Sequence, residues 1–197
     1  PVDEILAELH EIKAEKKLFF FIDDNFAGSI PLARELAEAL APVGIRWVTQ
    51  MSIDAAHDEG FVEALARAGC RGVLIGFESL ERDTLRLMQK KFNTMGGGYG
   101  PALANLQRHG IRVYGTFIFG YGTETPETFE NAYDFAADNN FFLAAFNHLT
   151  PFPGTALYDR LARENRLHYK AWWLEDSYAY NTLPFDTGGM GGAEITR

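Results

Sequence analysis

Five places in this 197-residue chain join a strand-like apolar run to polar groups that a buried strand could not hide. FFFIDD closes on Asp23, Asp24 and Asn25, and IRWVTQMS on Gln50 and Ser52. VLIGFES closes on Gly76, Glu78 and Ser79. VYGTFIFGYG ends in Gly120 and Gly122, and AAFNHLTPFPG in His148, Thr150, Pro151 and Gly154. Asp23 and Asp24 could bind a metal, accept from a substrate amine or hydroxyl, or cap the next turn. Side chains of neighbouring strand residues point to opposite faces, so both reach one ion only if the strand has already ended. Glu78 follows Gly76-Phe77, and the glycine lets a ligand approach the backbone. A carboxylate there is rarely buried without a partner, although capping the next helix is the plainer use. Gly120-Tyr121-Gly122 is either a place for a ligand to touch backbone or a turn. His148 is a metal ligand, an acid–base group or a hydrogen-bonded structural one. Cys70 ends a helix away from these groups and reads as a small core residue, not a nucleophile.

Helical patterns separate the five runs, so the strands should be parallel, with their carboxyl ends on one rim. In barrel-like α/β folds that rim carries the chemistry. The spacing predicts an amphipathic helix over 3–16 and strands at Leu18–Ile22, Ile45–Gln50, Gly72–Phe77, Ile111–Phe119 and Phe142–Phe146. Leu18–Ile22 is wholly apolar, as for a strand covered on both faces. Ser29-Ile30-Pro31 starts a helix with Leu32, Leu36, Ala39 and Leu40 inside, and Asp58 caps the next. Ser79 is placed to cap a helix with Glu81 and Asp83 in its first turn, and Gly96-Gly97-Gly98 breaks the chain before a short helix ending at His109-Gly110. Thr125-Pro126-Glu127 opens a helix with Phe129, Ala132, Tyr133, Phe135 and Ala136 inside, and another covers Ala156–Glu164. Beyond residue 173 an aromatic-rich tail, residues 174–197, reads as irregular. Five βα units in this length are too few for a closed eight-stranded barrel, which takes roughly 250 residues. An open α/β partial barrel fits, with edges that a partner domain or missing strands would cover.

A formal net charge of −9 excludes a general nucleic-acid surface, which needs clustered Lys and Arg. Lys90-Lys91 is the one adjacent lysine pair beyond the N-terminal helix. No apolar run approaches the roughly 20 residues of a membrane span, and one cysteine in the chain fits a reducing, cytoplasmic setting.

In order, DDNF, WVTQMSID, ARAGCRGVLIGFESL, LMQKKFN, VYGTFIFGYGTET and LTPFPGTALYDRL resemble consecutive motifs of radical S-adenosylmethionine (radical SAM) enzymes. The similarity is greatest to the subgroup with an N-terminal cobalamin-binding domain, and it runs from about Leu18 to about Trp173. It implies a TIM-like partial (β/α)6 barrel, with the five strands here as family strands two to six and residues 1–173 as a core lacking its first strand. It implies an enzyme whose 4Fe–4S cluster reductively cleaves S-adenosylmethionine to a 5′-deoxyadenosyl radical. By resemblance, Asp23, Asp24 and Asn25 stand where the family receives the methionine amino group. Gln50 and Ser52 point into the barrel, and Glu78 and Ser79 meet the ribose or methionine carboxylate. Ile118 and Gly120 match the family's GxIxGxxE pattern, with Thr123 at the place of its glutamate, and Thr150, Pro151 and Gly154 offer backbone to adenine. No residue here is implied as acid, base or nucleophile. The three cluster cysteines are implied to lie in a missing N-terminal segment of the same parent, with cobalamin, if used, in a missing domain. The fragment alone is then expected to be inactive, and its substrate a small or apolar molecule.

Two other readings stay open on the residues. One is a Zn²⁺- or Mn²⁺-dependent barrel hydrolase or lyase using Asp24, Glu78 and His148. The other is a non-catalytic ligand-binding module with a purely structural rim.

Overall fold

The computed structural model describes residues 2–88, 98–179, 182–190 and 195; Lys90-Lys91, Gly96-Gly97 and Tyr180 lie outside them. Helix α1 (Val2–Ile12) leads into strand β1 (Phe19–Phe21), and α2 (Ile30–Leu40) connects it to β2 (Trp47–Gln50). Helix α3 (Glu59–Arg67) leads to β3 (Cys70–Glu78); α4 (Arg82–Leu87) and α5 (Tyr99–Arg108) lead to β4 (Arg112–Phe119). Helix α6 (Pro126–Asp138) precedes β5 (Leu143–His148), and α7 (Ala156–Arg163) follows it. The strands form one five-stranded sheet in chain order, β1-β2-β3-β4-β5, and every pair is parallel. This is the α/β partial barrel expected.

The register sorts the side chains. Val48 pairs with Gly72, Thr49 with Val73, Gln50 with Leu74, and Leu74 with Tyr114. Partners in a parallel ladder share a face, so Trp47, Thr49, Val73, Ile75, Phe77, Val113, Phe117 and Phe119 are buried together against the helices. Phe77 is the hub of that layer, stacked on Phe117 at 5.8 Å and edge-on to Tyr99 at 5.1 Å. Val48, Gln50, Leu74, Gly76, Tyr114, Thr116 and Ile118 lie on the concave face and are only half-buried.

The starts and stops follow local chemistry. The Asp58 carboxylate accepts from Phe61 N at 2.9 Å to open α3, and Thr125 and Thr128 form a capping box at α6. Four expectations need correction. Strand β1 is not covered on both faces: Phe20 is 54% exposed, because β1 is an edge strand and no described residue fills the concave side beside it. Helix α2 buries Ala33, Ala37 and Leu40 instead of Leu32, the small alanines letting it sit close to its neighbours. Tyr133 of α6 is likewise exposed. Helix α4 starts at Arg82 with Glu81 as its cap; Ser79 comes before the cap position and instead accepts from Glu81 N at 3.0 Å.

After α7 the chain carries little regular structure, yet it is tied down. Leu167 bridges Phe185 in an antiparallel pair, His168 N donates to Pro184 O at 2.9 Å, and Asp186 N to Arg166 O at 2.8 Å. Leu183 and Phe185 are buried in the core, and Trp172 Nε1 donates to Pro151 O at 3.0 Å. No helix among the described residues is long and apolar enough to cross a membrane.

Cys70 opens β3, at the end of the sheet away from the rim, and is 1% exposed. Burial pushes its thiol from 9.0 up to about 12. The folded chain therefore favours the neutral thiol. That contribution to stability is complete below the unfolded value and is lost as pH rises from about 9 towards about 12. At pH 8 the thiol should stay unreacted with a disulfide reagent until denaturant is added. Labelling of the native protein at the free-thiol rate would contradict this placement.

Candidate functional site

The carboxyl ends of β2, β3 and β4, with the segment after β1, surround a cleft of about 230 Å³. Asp24 and Glu78 supply carboxylates to its wall, Gln50, Ser52 and Thr116 supply neutral polar groups, and Met51, Leu74 and Gly76 complete it. Asn25 fastens two of the rim segments: its Nδ2 donates to Ser52 Oγ at 3.0 Å, and Ser52 N donates to its Oδ1 at 3.1 Å. β1 ends at Phe21, so the alternation of strand side chains no longer constrains Asp23 and Asp24; only Asp24 lines the cleft.

Glu78 reaches the cleft through a distortion of its strand. The ladder to β4 shifts register between Gly76 and Glu78, a bulge of the type that re-aims a side chain. Glu78 itself has φ of 65°, and Ser79 N closes a three-residue turn onto Phe77 O at 2.8 Å. A non-glycine residue held there costs on the order of 1–3 kcal/mol. The residue is 8% exposed. The end of β3 is thus bent, at an energetic cost, to hold a carboxylate at the cleft wall.

The loop after β4 is held by Glu124, one residue beyond the position that the family pattern implies. Glu124 Oε1 accepts from Gly120 N at 2.7 Å and Tyr121 N at 2.8 Å, and Oε2 accepts from Gly122 N at 2.8 Å. One buried carboxylate thereby satisfies three consecutive amides and fixes the loop. The family pattern would place its glutamate at Thr123; the glutamate stands one residue later, in GYGTET. Thr123 instead shares a 2.8 Å hydrogen bond with Thr84. Tyr121 sits near both carboxylates: burial, then the charge of Glu78, raises its phenol above its usual range, with Glu124 adding to the effect and Arg160 opposing it.

The sequence-derived candidates therefore divide. Asp24, Gln50, Ser52 and Glu78 meet in the cleft, with Asn25 bonded to Ser52 at its edge. Ser79 is buried in the turn to α4, and Ile118 lies further along β4 on the concave face. Gly120 belongs to the loop held by Glu124. Thr150, Pro151 and Gly154 follow β5 outside the cleft lining: Thr150 Oγ1 donates to His148 O at 3.2 Å, Pro151 O receives Trp172, and Gly154 takes φ of 83° before α7. His148 does not line the cleft with Asp24 and Glu78. Among the described residues no three His, Cys, Asp or Glu side chains are grouped to hold a metal ion, so the metal-dependent hydrolase reading has no site.

The family model of the radical SAM superfamily matches residues 1–136. This chain belongs to the radical SAM superfamily. It is similar to the bacteriochlorophyllide d C-12(1)-methyltransferase of Chlorobaculum tepidum, 34% identical over 188 residues, covering 95% of this chain and 41% of that protein. It is also similar to the hopanoid C-2 methylase of Rhodopseudomonas palustris, 30% identical over 161 residues, covering 75% of this chain and 29% of that protein. The chain thus spans less than half the length of these relatives. Among solved structures, the radical SAM methyltransferase TsrM from Kitasatospora setae, with cobalamin and a 4Fe–4S cluster bound, shares the fold. Its TM-score is 0.68 at 22% identity, over 83% of this chain and 34% of that one.

Radical SAM enzymes use S-adenosylmethionine and a 4Fe–4S cluster, and the two fit this chain differently. S-adenosylmethionine is cationic at its sulfonium and ammonium groups and carries ribose hydroxyls. A cleft walled by the carboxylates of Asp24 and Glu78 beside Gln50, Ser52 and Thr116 suits those groups. The cluster takes thiolates, and the chain's one cysteine is buried at the wrong end of the sheet. The cluster ligands are not residues of this chain.

Proposed function

We propose that this chain is the cofactor-binding core of a radical SAM methyltransferase whose methyl acceptor is a large apolar molecule. The observation that carries the reading is the rim cleft, where Asp24 and the strand-distorted Glu78 stand together among neutral hydrogen-bonding groups. S-adenosylmethionine, when bound, supplies the transferable methyl group and, on reductive cleavage, a hydrogen-abstracting group. The chain's own residues bind and orient it. Asp24, with Asp23 and Asn25 on the same segment, would take the ammonium, and Glu78 and Ser79 the ribose or carboxylate end. Gln50 and Ser52 would close the wall. Ile118, the backbone at Gly120 and the Thr150–Gly154 turn would face adenine. Cobalamin would be held by a domain outside this chain.

The concave face next to the cleft supports an apolar acceptor. Phe20 pairs with Val48, and Leu74 with Tyr114, so these apolar side chains share the concave face that leads to the cleft, with Arg112 at its far end. Two relatives are named as a bacteriochlorophyllide methyltransferase and a hopanoid methylase, which supports methyl transfer as the reaction.

The test is direct. The full-length protein, reconstituted anaerobically with iron and sulfide and reduced with S-adenosylmethionine, should release 5′-deoxyadenosine. Replacing its cluster cysteines should abolish the product. A folded protein that assembles no cluster and cleaves nothing would overturn the reading.

A further inference from the structure

The rim loop after β4 is gripped from two sides. Glu124 holds its amides. From the other side comes the segment Leu183–Met190, whose backbone lies directly against the loop. A methyl group added at Gly189 would sit 2.3 Å from Gly122 O and 2.9 Å from Gly122 C. One added at Gly122 would sit 2.4 Å from Thr187 O. Contacts that short do not occur with a Cβ present, so glycine at both positions is what lets the two backbones touch. Leu183 packs over Gly120 in the same way, its Cδ2 3.3 Å from where a Cβ would stand. The segment has its own internal ties. Thr187 Oγ1 donates to Met190 O at 2.7 Å and accepts from Gly189 N at 3.2 Å. It is anchored to the stretch after α7 through Arg166, whose Nε donates to Asp186 O at 2.8 Å, and through the Leu167–Phe185 bridge.

We propose that Leu183–Met190 is a clamp that sets the position of the Gly120–Gly122 backbone and, through it, the affinity of the site for the adenosyl end of S-adenosylmethionine. Its members are positioning residues: they touch the loop, and the loop faces the cofactor. This rests on the reading above, in which that loop contacts the adenosyl group. The part of the chain that looks least organised in sequence thereby tunes the site.

The experiment is equilibrium binding to the full-length protein with its cluster reconstituted. Two probes are used: S-adenosylhomocysteine, which carries both ends of the cofactor, and 5′-methylthioadenosine, which carries only the adenosyl end. Gly189→Ala should weaken both by the same factor, roughly tenfold, equivalent to about 1.4 kcal/mol. Thr187→Val, which keeps the volume and removes the hydroxyl, should weaken both about threefold, and Thr187→Ser should restore wild-type binding. If Gly189→Ala does not fold, the Thr187 pair decides alone. Wild-type affinity in both Gly189→Ala and Thr187→Val overturns the clamp, as does a loss confined to S-adenosylhomocysteine. If the wild-type protein binds neither probe, the cofactor reading fails first and the clamp falls with it.

Discussion

Glu124→Ala should destabilise the protein more than any other single change at the rim. The substitution strips the acceptor from the amides of Gly120, Tyr121 and Gly122 at once, in a place too buried for water to replace it fully. Hydrogen bonds to a charged group contribute roughly 1.5–3 kcal/mol each, and they are not additive within one carboxylate. A loss of about 3–5 kcal/mol follows, or a fall in Tm on the order of 10 °C for a domain of this size. Glu124→Gln should lose about half as much, because its NH2 group faces an amide that also donates. Thermal or urea unfolding of the three proteins is the measurement. A Tm for Glu124→Ala within about 2 °C of wild type would show that the loop does not depend on this carboxylate.

Glu78 should act chiefly on function. Removing the carboxylate by Glu78→Ala is expected to weaken S-adenosylmethionine binding to the full-length protein by roughly a hundredfold, the scale for deleting one member of a buried charged pair. Glu78→Gly separates the two roles of the position. Glycine adopts φ of 65° without strain, so this variant should gain on the order of 1 kcal/mol in stability while binding no better than alanine. A stabilised protein that no longer binds would mark the strain at the end of β3 as maintained for the ligand. Unchanged affinity in Glu78→Ala would remove Glu78 from the site.

The sheet was legible because its signals are local. Five apolar runs of strand type, each followed by a helical period, leave few alternatives to parallel strands, and Asp58, Thr125 and Gly110 mark helix ends with side chains or glycine. Most of the cleft followed from the same signal, since Asp24, Gln50, Ser52 and Glu78 each stand just past an apolar run. What escaped depends on contacts that no local pattern encodes. Whether β1 is buried on both faces depends on what fills the concave side, which three phenylalanines in a row do not state. Glu124 was hidden by one residue of spacing: counting from Gly120 finds Thr123 first, and only the loop's amides pointing at the next carboxylate reveal which residue holds them. The grip of Gly189 on Gly122 joins residues far apart in the chain, in a stretch without period.

The order of the strands in the sheet is their order in the chain. No strand waits for a later one to be slotted in beside it, so during synthesis each unit can dock on the one already made as it leaves the ribosome. The wall of the cleft is complete once Thr116 has been added, whereas Gly189, which grips the loop beyond it, is translated much later. A nascent chain therefore acquires the outline of its site well before the part that firms it.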